Sequence, residues 1–214
     1  MDATASDRLR DALAGASSSD RLQVALSAGT YPRPEYVEVL VERCASEPDF
    51  YVREMLTWAL LRHPADLAVP LLIEQTRSSI VQARSQALHT LSKIRDGRGW
   101  AAITDRLLHD ENEEVARTAW RAAVVLAPES ERPALARTLT QQLGRGERDA
   151  QWSLSRSLAD LGEAAWQALD DASRHADVHV RIHAIATSRM IDDPDEGFDS
   201  AIFEASRIVE LGAE

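Results

Sequence analysis

The stretch from Asp110 to Ala123, DENEEVARTAWRAA, constrains this chain more than any other. An acidic loop leads into Val115. Small residues then follow at Ala119, Ala122 and Ala123, which are four, seven and eight positions further on. That spacing marks one face of a helix, and alanine there lets a neighbouring helix lie close. The pattern returns at intervals of 30 to 35 residues, with anchors equivalent to Val115 at Ser18, Val52, Ala83, Ala150 and Val180. Ser18 is the weakest of these. A chain that repeats itself at this period builds stacked supersecondary units, each burying its apolar face against its neighbours.

Each unit also has an earlier apolar helix. The first helices are predicted at Asp7–Ala14, Pro34–Ala45, Asp66–Gln75, Gly99–Leu108, Arg132–Leu143 and Glu163–Ser173. The second helices are predicted at Ser18–Ala28, Phe50–Arg62, Ile80–Ile94, Glu113–Leu126, Arg148–Leu161 and Val178–Ile191. Pro34 and Pro133 sit near helix starts, where a missing N–H costs nothing. Gly29, Gly144 and Gly162 follow helix ends. No segment alternates with period two for long enough to be a strand. Beyond Asp192, Phe198, Ile202, Ala205 and Val209 share the face of one more helix, placed to close the last open core.

The repeated unit, D-x-x-V-R-x-x-A-x-x-A/L, is written as Asp49-Phe50-Tyr51-Val52-Arg53 and as Asp177-Val178-His179-Val180-Arg181. It loosens to Ala83-Arg84 and Val115-Ala116-Arg117, and degrades to Asp149-Ala150-Gln151. This unit resembles HEAT repeats, in particular the short HEAT-like variety named after phycobilisome lyases. The resemblance implies an all-α, right-handed α-α superhelix of the HEAT or armadillo type. It would hold about six helical pairs over residues 1–193 and a capping helix and tail over 194–214, as one domain. It also implies that the acidic residue and the Arg form a ladder between units, which makes Arg53, Arg84 and Arg181 structural. The second helices should line the concave side.

Composition narrows the function classes. A net charge of -11 argues against general adhesion to nucleic acid or to an anionic membrane. One cysteine, Cys44, leaves no intrachain disulfide and fits a reducing compartment. The N-terminus MDATASDRLR has no apolar signal core, and the run Leu67–Ile73 is too short to span a bilayer. These features read as a soluble cytoplasmic protein.

Motifs for chemistry are sparse. His179 and His183 stand four apart on one helix and His175 lies before its turn, but no third ligand is evident, so no metal and no cofactor is expected. The paired His-Glu dipeptides of HEAT-repeat iron hydroxylases are missing, since Asp110 follows His109. No phosphate-binding glycine loop or nucleophile elbow occurs. Phe50–Leu61 is similar to a segment of the DNA glycosylases built of HEAT-like repeats, which use a Trp and a catalytic Asp on the concave face. Yet Arg62, Val124 and Arg156 stand four after Trp58, Trp120 and Trp152. Only Trp166 has an Asp at that spacing, Asp170, on a first helix expected to face outward.

The remaining signal lies on the inner surface. Positions two, five, six and nine after each anchor should point away from the core. They select Trp58, His89, Arg117, Trp120, Arg121, Trp152, Arg156 and Arg189 as binding candidates, together with Glu54, Leu61, Val124 and Ile182. Trp and Arg are frequent hot-spot residues. The second helices from Phe50 onward carry a net +5, and the rest of the chain -16. The sequence therefore reads as a non-enzymatic scaffold holding a protein segment or another anionic partner in a Trp/Arg groove. A nucleic-acid-binding relative of the glycosylases and a small-ligand sensor stacking its ligand on Trp are the alternatives. The oligomeric state is not written in the pattern.

Overall fold

The computed structural model describes residues 3–211, and among them the only regular structure is helical. The first helices of the pairs are α1 (Ala5–Leu13), α3 (Val37–Cys44), α5 (Ala65–Gln75), α7 (Asp105–Leu108), α9 (Arg132–Thr140) and α11 (Trp166–Ala172). The second helices are α2 (Ser18–Thr30), α4 (Phe50–Leu61), α6 (Val81–Ile94), α8 (Glu113–Leu126), α10 (Arg148–Leu161) and α12 (Val178–Asp192). A last helix, α13, spans Phe198–Leu211. The second helices match the repeat pattern closely. The first helices are shorter, and short 3-10 turns introduce several of them. The predicted Gly99–Leu108 helix is broken into a 3-10 segment at Gly97–Ala102 and the single turn of α7.

Side-chain caps explain where the second helices begin. Ser17, Asp49, Asn112 and Asp177 each accept a backbone N–H from the first turn of the helix they precede. These caps also correct the register of the first repeat. Val52, Val115 and Val180 stand three residues after their caps, so the position equivalent to them behind Ser17 is Asp20, not Ser18. Asp20 is exposed. The buried residues of α2 are Arg21, Ala25, Ala28 and Gly29, one position further round the helix. That face packs α2 on α4.

The chain divides into two compact units, Met1–Ala102 and Ile103–Glu214. In the first, α1, α3 and α5 stack in one row and α2, α4 and α6 in the other. The contact of α2 with α4 is close at Gly29. A Cβ on Gly29 would lie 2.4 Å from Cζ3 of Trp58 and 2.8 Å from Cα of Ala59. In the second unit, α7, α9 and α11 form one row and α8, α10 and α12 the other, with α13 packed along α12. Each core is built from the face predicted by the repeat: Val52, Leu56, Ala59 and Leu60 on α4, and Val115, Ala119, Ala122 and Ala123 on α8, are all fully buried.

Candidate functional site

Successive residues of a helix are about 100° apart. Positions two, six and nine after an anchor then lie opposite the core face, but position five lies at about 140°, on a flank. Stacked second helices bury that flank against the next helix. Thr57, Trp120 and Ser155 occupy it and are all buried. Trp120 is therefore not a groove residue. It is fully enclosed, and its indole N–H donates to the carbonyl of Leu108 at 2.8 Å, tying α8 to the first helix of its own pair. Val124 is also buried. A period counted on one isolated helix could not show that these helices pack on two sides.

The other candidates remain at least partly open. In the first unit, Trp58 is 38 % exposed and lies across Gly29 of α2. Glu54 of α4 and His89 of α6 meet at 3.2 Å. In the second unit, Arg117 lies 3.8 Å from Glu113, and Arg121 donates to the hydroxyl of Thr118 at 3.1 Å. Burial of its guanidinium and the adjacent charge of Arg117 lower the pKa of Arg121, and Glu114 partly opposes them. On α10, the Arg156 guanidinium sits 5.5 Å from the centre of the Trp152 ring, which is 40 % exposed. Arg189 is already committed: it binds Glu196 at 2.9 Å, ahead of α13.

Two side-chain networks repeat at matching positions between second helices. Thr57 of α4 accepts from Gln86 Nε2 at 2.9 Å and lies 3.3 Å from Thr90 of α6. At the same offsets, Ser155 of α10 meets His183 Nε2 at 2.9 Å and Thr187 Oγ1 at 2.7 Å of α12. The Ser155–His183 pair has the spacing of a nucleophile and its base, but the protons run the wrong way. Nδ1 of His183 accepts from the Gly144 N–H at 3.0 Å, so a neutral ring carries its proton on Nε2, facing Ser155 and the Gln151 carbonyl. Thr187 donates to the His183 carbonyl, so Ser155 donates to Thr187. A base that already donates toward its serine cannot take that serine's proton. Burial pushes the His183 pKa down to about 4, against the opposing bond to Gln151. His183 is thus a core residue and not a helix-flank histidine.

Other possible reactive groups are similarly occupied. Burial pushes the Cys44 thiol up to about 12, which leaves it protonated and unreactive. Asp170, four residues after Trp166, is held by Arg174 through both oxygens, at 2.8 and 2.7 Å. Among the described residues, no group of three His, Cys, Asp or Glu side chains is placed to hold a metal ion. Among the described residues, no helix is long and apolar enough to cross a membrane.

Residues 37–124 match the family model for HEAT repeats. That stretch, from α3 to α8, is built of HEAT repeats. No curated protein matches the chain. Among solved structures, it is similar to an engineered protein from a structural genomics consortium, with 18% identity over 92% of this chain and 96% of that one and a TM-score of 0.48. A designed armadillo repeat protein has 13% identity over 86% and 98%, with a TM-score of 0.46. The complex of CpcE and CpcF of phycocyanin lyase from Nostoc sp. PCC7120 has 15% identity over 97% and 95%, with a TM-score of 0.41.

Along the chain the recurring arginine is structural, but the bonds it makes differ from the implied ladder. Arg53 donates to the carbonyls of Glu47 and Pro48 in the turn before its own helix, at 3.0 and 2.8 Å. Arg84 reaches Ser78 and Ser79, Arg181 reaches His175 and Ala176, and Arg21 reaches Gly15 and Ala16, always five and six residues back. Gln151, in the degraded repeat, reaches Gly146. Where Ala116 takes the position, Arg145 of the next turn donates to the equivalent carbonyl of Asp110. Each turn thus has its carbonyls satisfied by a side chain. A buried ion pair joins the first two repeats: Glu47, fully buried, binds Arg21 at 2.8 Å and also Arg43 at 2.6 Å. Burial alone would raise its pKa, but the bonds from Arg21, the Asp49 amide and Arg43 outweigh that and hold it at about 2. No repeat pattern signalled Glu47, because it sits in a turn outside the periodic helices.

Proposed function

We propose that this HEAT-repeat scaffold binds a partner protein through the exposed Trp/Arg face of α8 and α10, centred on Arg117, Arg121, Trp152 and Arg156. The observation that supports this most is the Arg156 guanidinium stacked at 5.5 Å on a half-exposed Trp152. Two other exposed arginines of this unit, Arg148 and Arg174, are spent on carboxylates, those of Asp199 and Asp170. Arg156 has no ion pair among the described residues, so its charge and the ring are presented to solvent together. Stacking restricts both side chains before any partner arrives, which lowers the entropy lost on binding. The fitting partner is an acidic segment carrying an apolar or aromatic side chain. Trp120 and Arg189 have no part in this surface, since one is buried and the other paired. Trp58 and His89 lie in the first unit and are not part of this proposal.

The test is the double reversal Arg121→Glu with Arg156→Glu, read by capture of the partner and by thermal unfolding. Binding should weaken by about 2 kcal/mol or more, while stability changes by less than roughly 0.5 kcal/mol. Loss of folding would place these arginines in the scaffold itself. Salt-sensitive binding to duplex DNA by the unmodified protein would favour a nucleic-acid partner instead.

A further inference from the structure

Within the second unit, each helix of a row covers the flank of the one before it. The α7 helix is covered by α9 and α9 by α11, while α8 is covered by α10 and α10 by α12. The last helix breaks this alternation. Ala201 and Ala205 of α13 pack on Ala186, with Ile182, Ile185, Met190 and Ile202 around them, so Ile185 is only partly covered. α13 therefore occupies the seat of a second helix beside α12, and it makes no comparable packing against α11. The matching seat beside α11 is an open cleft of about 360 Å³.

The lining of the cleft has the spacing of a helix seat. Trp166, Leu169, Asp170 and Ser173 recur at i, i+3, i+4 and i+7, and α12 presents the same spacing from Ile185 to Asp192. Two such faces side by side form the groove that receives the ridge of a third helix. Trp166 is 54 % exposed, although it stands in the row where earlier units bury their flanks. The charges at the rim select the occupant. Asp170 is bound by Arg174 and Arg189 by Glu196, whereas Asp192 has no ion pair among the described residues. Asp192 is also the last residue of α12, where the helix dipole is negative and a carboxylate is unfavourable.

We propose that this seat takes a single amphipathic helix from a partner protein. Its apolar seam lies on the exposed Trp166 and the open edge of Ile185, over a floor formed by the buried Leu169, and a Lys or Arg side chain meets Asp192. A second copy of this chain is the wrong shape and charge. Its repeats come as helical pairs, and the second helix of such a pair would fall where α13 already lies. Two chains of net charge -11 also repel each other.

The experiment is selection from a displayed library of amphipathic helical peptides with a Leu/Ala seam and variable flanks, using the full chain as bait. Selected helices should be enriched in a cation at the end that meets Asp192. They should bind Trp166→Ala about tenfold more weakly, the loss typical of a hot-spot aromatic, and Asp192→Asn several-fold more weakly. Trp152→Ala should not change them, which keeps this result separate from the surface on α8 and α10. The proposal is overturned if no helix is enriched, if acidic flanks win, or if the selected helices bind Trp166→Ala as well as the parent chain. It is likewise overturned if the protein dimerises through this cleft and Trp166→Ala abolishes that dimer.

Discussion

Glu47 shows how much a single side chain outside the pattern can hold. It is enclosed, and it accepts from Arg21, Arg43 and the amide of Asp49. Replacing it with Gln leaves two partly buried guanidinium groups without their counter-charge. Glu47→Gln should destabilise the first unit by about 3–5 kcal/mol, the range for breaking one partner of a buried pair, as read by urea unfolding. Trp120 and Trp152 make a second contrast. Trp120→Ala should cost about 3–5 kcal/mol of stability, as expected for a buried aromatic, and leave the binding face intact. Trp152→Ala should do the reverse. Proteins compared by unfolding and by partner capture will separate the two. From sequence alone these tryptophans were indistinguishable, because both stood at positions predicted to face away from the core.

At the level of elements, α2 packs tightly on α4 at Gly29. Ala has a higher helix propensity than Gly, by about 1 kcal/mol, so Gly29→Ala would stabilise an isolated helix. Here the added methyl would meet the Trp58 ring and the Ala59 backbone at under 3 Å. The helices must separate, and overpacking of this kind costs about 1–3 kcal/mol. Gly29→Ala should therefore lower the melting temperature. The outcome for α13 follows from its contacts. Deleting residues from Pro194 onward uncovers Ala186, Ile182 and Ile185 and releases Arg189 from Glu196. The shortened chain should unfold earlier and self-associate, as checked by calorimetry and light scattering. A truncated chain that matched the full chain in both would show that α13 does not close the solenoid.

Across the whole molecule, two buried groups make stability depend on pH in the same direction but over different windows. His183 is held neutral, with its pKa lowered to about 4 from 6.5. As pH falls below about 6.5 the unfolded chain takes up the proton first, so the second unit loses stability until the folded ring also protonates near 4. Glu47 is held ionised, with its pKa at about 2 against 4.5. Its contribution to the first unit is complete above about 4.5 and is lost as pH falls toward 2. Each amounts to roughly 3 kcal/mol at about 1.4 kcal/mol per pH unit. Mild acid should thus weaken Ile103–Glu214 before Met1–Ala102, which amide exchange resolved by residue can detect at pH 5. The sequence by itself determined the repeat, its helical pairs, the core face of each second helix and the terminal helix. Those features depend on residues three to eight positions apart, and local periodicity records them. Only the tertiary structure decided the rest. Stacking buried the flank that holds Trp120 and Ser155, turned the recurring arginines onto their own turns, recruited Glu47 from a loop and left a cleft beside α11. Each of these depends on which helix lies beside which, a relation between distant parts of the chain that no count along one helix contains.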